Sequence, residues 1–285
     1  MNVDIKEPLK DLRLFHKRVK DNLKPISQIA EMEPSLDKLS DLREVIDKTI
    51  SAQLVSSDIS ELLSKLRSDV SKIMDQSASA FGQIEAGFIN YVKQQDLTWK
   101  ELDTGWRVGS LELRFRRPSS AVAIFYNHEI VLDWTYVSSV EQLRKLYEDA
   151  LTKVDSFVMD KKVRDQVFTE AFDFLVWKRQ ASKTANPAMV PIKDFFREVS
   201  VAKYRAAMSA KKKDEPLNMV AFLRNLDEYI RDISAAEGVR RLAFQSGSQA
   251  EQSKGIGVTI GGLNAKSDYR TVCFVVVQRS DNGVQ

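Results

Sequence analysis

Between Ser35 and Val92 the apolar residues recur at steps of three and four, and that spacing commits the first third of the chain to helix. Leu36, Leu39, Leu42, Ile46, Ile50 and Leu54 form one series. After a polar break at Ser56-Ser57-Asp58, Ile59, Leu62, Leu66, Val70 and Ile73 form a second, with Phe81, Ile84, Phe88 and Val92 prolonging it. Alternating four- and three-residue steps are the seam of helices packed side by side. The expectation is an N-terminal antiparallel helical hairpin of coiled-coil-like character over residues 1–96. Such an arm either closes an intramolecular bundle or receives another chain, and a protein partner engaged through it is expected.

The period changes after Leu97. Leu111, Leu113 and Phe115 alternate with Glu112, Arg114 and Arg116, the period of two of a half-buried strand with charges on its wet face. Ala121–Tyr126 and Glu129–Tyr136 flank Asn127-His128, where asparagine tolerates the positive φ of a hairpin turn. Helical patterns return from Val140 to Val158, from Val163 to Leu175, from Phe195 to Ala206 and from Val220 to Ile233. The prolines Pro187 and Pro191 mark a loop before the third of these. The tail is strand again, and the run from Arg270 to Gln278, apolar on both faces, belongs at a sheet centre. Because isolated hairpins are marginal in water, the two β regions are expected to join in one sheet. The fold class is therefore α+β and predominantly helical: the arm, then an α/β core over 97–285. In that core a small mixed or antiparallel sheet (strands about 106–136 and 240–279) is covered by helices at about 138–236.

Composition excludes several functions. Cys273 is the one cysteine, so no internal disulfide or cysteine-built zinc site is available, which favours a reducing compartment and a cytoplasmic location. The opening residues lack an apolar leader, and no run reaches the length of a membrane span, so no membrane association is expected. The only histidines are His16 and His128, and neither lies beside a nucleophile turn. Gly255, Gly257, Gly261 and Gly262 flank a strand and lack the following helix and Walker lysine that a phosphate-cradling loop requires. No cofactor-binding signature appears.

The remaining candidates are charged and aromatic. Lysine plus arginine outnumber aspartate plus glutamate by only 43 to 40, so local clustering must carry any argument about nucleic acid. Arg107, Arg114, Arg116 and Arg117 gather around one strand, and Lys211, Lys212 and Lys213 follow a helix. Guanidinium and ammonium groups in a row neutralise phosphates, although salt-bridged surface is the competing reading and cations at a helix end also complement its dipole. Trp99 and Trp106 flank a polar turn and would anchor a partner if exposed, while the other tryptophans read as core. Glu112, Glu129 and Asp133 are the best carboxylates for holding a metal ion on neighbouring strands, but the lysine two residues on that such nucleases use is missing. The sequence thus points to a non-catalytic subunit or scaffold of a larger intracellular assembly that also contacts nucleic acid. A divergent metal-dependent nuclease is the alternative.

Overall fold

Helix and strand are segregated as an α+β chain in a computed structural model that describes residues 17, 20, 24, 27–29, 39–51, 57–209, 217–233, 241–261 and 264–278. Lys211, Lys212 and Lys213 lie outside the described residues. The helices α1 (Leu39–Ser51) and α2 (Ser57–Gln94) precede the strands. Five strands follow: β1 (Trp99–Leu102), β2 (Gly105–Val108), β3 (Leu111–Arg116), β4 (Ala121–Tyr126) and β5 (Glu129–Tyr136), hydrogen-bonded in sequence order. A 3-10 turn (Arg117–Ser119) separates β3 from β4. Then come α3 (Val140–Asp155), α4 (Lys161–Ala181), β6 (Val190–Pro191), α5 (Ile192–Ser209) and α6 (Met219–Ile233). The tail holds β7 (Arg241–Gln245), α7 (Gln249–Ser253), β8 (Val258–Ile260), β9 (Arg270–Val272) and β10 (Phe274–Gln278). Among the described residues no helix is long and apolar enough to cross a membrane.

The chain divides into two compact units that interleave along the sequence. One takes Met1–Asn90, Phe115–Val122 and Trp134–Leu143, the other Tyr91–Arg114, Ala123–Asp133 and Arg144–Gln285. In the first, Leu42 and Ile46 of α1 and Leu63 and Val70 of α2 form a small core, edged by Ile50, Leu66 and Met74. Asp47 and Arg67 close its rim at 2.6 Å. The heptad seam read from the sequence is not confirmed. Leu62 and Ile73, two of its members, are 67% and 44% exposed, while burial follows Leu63, Leu66, Val70 and Met74. That stripe has the period of a straight α-helix rather than a supercoil. Further along α2, Phe81 meets Phe115 edge to face at 5.5 Å, and the Ser77 and Ser120 hydroxyls lie 2.9 Å apart.

In the second unit the sheet opens as a tight meander, with Trp99 opposite Val108, Leu102 opposite Gly105, and Gly105 in turn opposite Arg114. Gly105 is required by a close approach: a Cβ there would stand 1.9 Å from the Leu113 carbonyl oxygen. The β4–β5 hairpin turns as expected on Asn127 and His128, both at positive φ (50° and 68°), the pairing a two-residue turn of matching twist demands.

The tail departs from expectation. The β regions do not join in one sheet: β10 lies between β6 and β7 in a three-stranded sheet, and β8 pairs with β9 alone. β10 is central there, as its two apolar faces require, but the run from Arg270 breaks at Cys273. The Cys273 N–H donates to Gln245 O (2.9 Å) and its carbonyl accepts from Ile192 N–H (2.8 Å). So short a sheet is held by helices rather than by further strands. Phe195 of α5 packs on Phe168, Phe222 and Phe244, and Tyr229 of α6 packs on Phe168 and Phe244. Between β7 and β8 stands α7, started by a capping box in which Ser248 and Glu251 exchange hydrogen bonds.

Two glycines test this packing in opposite directions. Gly105→Ala should lower stability by about 1–3 kcal/mol through overpacking against backbone. Gly82→Ala, in an α2 position with nothing within 4 Å of the new methyl, should raise it by about 0.5–1 kcal/mol. Urea midpoints measure both, and a neutral Gly105→Ala would mean that β2 and β3 do not approach as described.

Candidate functional site

The strand arginines are largely occupied inside the protein. Arg107 is 1% exposed. Its Nη1 donates to Ser267 O and its Nη2 to Gly261 O, both at 2.5 Å, and its guanidinium lies 4.3 Å from the Tyr269 ring. It holds the β8–β9 loop to β2 and presents nothing to a phosphate. Arg114 is half-buried, stacked 4.2 Å over Phe125, and donates from Nε to Glu112 Oε1 at 2.5 Å. Arg117 pairs with the buried Glu85 at 3.0 Å. Arg116 is exposed and lies 3.9 Å over the Trp134 ring. Of the two expected anchors, Trp106 is buried and Trp99 is half-buried, with Lys93 5.7 Å from its ring.

The three carboxylates do not assemble. β4 lies between β3, which carries Glu112, and β5, which carries Glu129 and Asp133, so the acids are not on neighbouring strands. Glu112 is already engaged: besides Arg114, its Oε2 accepts from the Tyr269 hydroxyl (3.2 Å) and lies 3.3 Å from His128 Nδ1. Among the described residues no group of three His, Cys, Asp or Glu side chains is arranged to hold a metal ion. The Glu112–Arg114–Tyr269 cluster is an internal tie between the meander and the tail.

A second tie sits at the hairpin turn. Asp227 Oδ2, on α6, accepts from the Tyr126 hydroxyl (2.6 Å) and from Asn127 Nδ2 (2.8 Å). Asn127 Oδ1 accepts from Gly261 N–H at 2.9 Å. Burial, with the Asp227 carboxylate beside it, pushes the Tyr126 hydroxyl far above the usual tyrosine range.

Where the internal ties end, apolar surface begins. α4 and α5 each bury one face, through Phe168, Phe172 and Leu175 on α4 and Phe195, Val199 and Ala202 on α5. The other faces expose Phe174, Trp177 (63%), Val201, Tyr204 and Met208 (62%). Phe174 and Trp177 are ring neighbours at 5.9 Å, and Arg205 of α5 lies 5.9 Å over Phe174, joining the two faces. The sequence reading put Trp177 in the core. The available signal was an excess: Val163, Val167, Phe168, Ala171, Phe172, Phe174, Leu175, Val176 and Trp177 are too many apolar residues for one helical stripe.

Burial and the Glu112 carboxylate push the Tyr269 hydroxyl up to about 12, against the pull of Arg107. A phenol whose pKa is raised on folding contributes stability that is whole below the unfolded value near 10.0 and is lost as pH climbs through 12. Tyr269→Phe should therefore remove one late tyrosinate from the absorbance titration and flatten the fall of stability across that window. Loss of a tyrosinate that titrates near 10.0 instead would put Tyr269 in solvent and dissolve the tie. Compared with known proteins, the chain matches no family model, no curated protein and no solved structure.

Proposed function

We propose that this chain is a non-catalytic subunit of a larger assembly and that it receives a protein partner on the exposed face of α4 and α5. The single observation that carries this is the cluster of Phe174, Trp177, Val201, Tyr204 and Met208 on two packed helices. Single exposed apolar residues, such as Leu62 or Ile130, are ordinary and need no partner. A group with three aromatics and a methionine on two packed helices has the composition of an interface centre.

The charges around the cluster define the partner. Cations outnumber carboxylates on both helices, so the fitting surface is acidic around apolar anchors. The arm has less to offer than the sequence reading assigned it, since α2 exposes Leu62 and Ile73 singly. Nucleic-acid contact through the strand arginines is also a weaker proposal, because Arg107, Arg114 and Arg117 each have internal partners. A nuclease reading draws no support from Glu112, Glu129 and Asp133, which β3, β4 and β5 keep apart.

The test is purification of the tagged chain with nuclease present, comparing wild type with Trp177→Glu/Met208→Glu. A stoichiometric acidic partner should be retained by the wild type and weakened roughly 30-fold or more by the variant, the scale of losing interface anchors. Circular dichroism should be unchanged, both side chains being in solvent. Equal recovery by the variant, or loss of every partner on nuclease treatment, would sink the reading.

A further inference from the structure

The exposed apolar residues of α4 and α5 fall into helical register. Val201, Tyr204 and Met208 stand at i, i+3 and i+7 on α5, and Phe174 and Trp177 at i and i+3 on α4. Each set therefore lines one side of its helix. Seven steps of 1.5 Å make the α5 stripe about 10 Å long, which is two helical turns. The Arg205 guanidinium lies 5.9 Å over the Phe174 ring, and that ring is itself 5.9 Å from Trp177.

The backbone narrows what such a surface accepts. Inside a helix each N–H and C=O is already paired, so these stripes offer a partner side chains only. An extended segment laid over them would bury its own amides with nothing to bond, which is costly. A helix satisfies its amides internally and presents apolar side chains at the same steps.

Charge selects further. The segments that carry the exposed residues, 174–181 and 199–209, hold Lys178, Arg179, Lys203 and Arg205 and no carboxylate. Asp173 and Glu198 border them, and Glu198 reaches Arg205 at 3.4 Å. Lys178 forms no ion pair among the described residues. The dipole of α4 accounts for Lys178 and Arg179 in its last turn. It does not account for Lys203 and Arg205, because α5 has no cation in its last turn. A second copy of this chain would set these cations against their equals, which disfavours a symmetric pairing of the face.

We propose that the partner docks one acidic amphipathic α-helix on this face, an inference that rests on the reading that α4 and α5 receive a protein. About two turns of it set apolar side chains at i, i+3 or i+4, and i+7 against Phe174, Trp177, Val201, Tyr204 and Met208. Its flanking aspartates and glutamates face Lys178 and Arg205, both of which are exposed.

In the experiment the full chain selects from a displayed library of random 16-residue peptides, with Trp177→Glu/Met208→Glu as the counter-selecting target. Peptides that need the face should carry apolar residues at i, i+3 or i+4, and i+7 together with net negative charge. The synthesised consensus peptide should gain helical circular dichroism on binding. It should bind Lys178→Glu/Arg205→Glu at least about tenfold more weakly. Both substitutions replace exposed residues, and the circular dichroism of the variant checks its fold. Face-dependent peptides of alternating, proline-rich or basic sequence would overturn the docked helix while leaving the partner reading intact. Binding without a gain of helix, or an affinity unchanged in Lys178→Glu/Arg205→Glu, would do the same. Recovery of no face-dependent peptide would also overturn it, and the purification described above then judges the partner reading separately. Vesicles of phosphatidylcholine and phosphatidylserine provide the competing surface. If they bind more tightly than the consensus peptide, and lose that binding in Trp177→Glu/Met208→Glu, the face belongs to a lipid surface and the proposal falls.

Discussion

The side chain of Asn127 is the fastening on which the second unit depends. It stands at positive φ in the hairpin turn, 1% exposed, and both ends of its amide are used: Nδ2 on Asp227 of α6 and Oδ1 on the Gly261 N–H beyond β8. The hairpin turn is thereby joined, at one buried amide, to two segments 100 and 134 positions away. Tyr126 adds a second donor to the same Asp227 oxygen, and Arg107 takes the Gly261 carbonyl from the other side. A buried polar network of this kind holds only when each member is satisfied, because any vacated partner leaves a desolvated group behind. It therefore fixes one arrangement of hairpin, α6 and tail against alternatives that hydrophobic packing alone would tolerate.

The same logic explains why a basic strand did not become a basic surface. Alternation along Leu111–Arg116 correctly separates apolar from charged positions, and the hairpin at Asn127-His128 is legible from its turn chemistry. Alternation says nothing of what lies over the charged face. Glu112, assigned to that face, is buried with Arg114, Tyr269 and His128 around it, and the Tyr269 hydroxyl it accepts from lies 157 positions away. Arg107 was hidden for the same reason, since its acceptors are backbone carbonyls at 261 and 267. Partners so remote leave no local spacing to read.

Helices α3 to α6 lie close to where apolar periodicity puts them, and β10 takes the central place its two apolar faces demand. The division into separate sheets was not legible, because a two-residue strand at Val190–Pro191 has no pattern, and it is this strand that gives β10 its second neighbour. The break at Cys273 is likewise invisible in an unbroken apolar run. It arises because that residue's N–H and carbonyl are claimed by Gln245 and Ile192.

The α4–α5 surface was missed through an assumption about aromatics rather than a lack of signal. A helix packed on one side buries one stripe, and α4 fills that stripe with Val167, Phe168, Ala171, Phe172 and Leu175. Phe174 and Trp177 then have no interior left to enter, however apolar they are. Charge follows the same division. Inside, Glu112 and Glu85 hold the sheet's Arg114 and Arg117, so those cations act within the molecule. On α4, exposed Lys178 forms no ion pair among the described residues and stands beside exposed apolar side chains. Uncovered aromatics edged by an excess of cations are the complement of an acidic, apolar surface, which is the selectivity the proposed docking face would have.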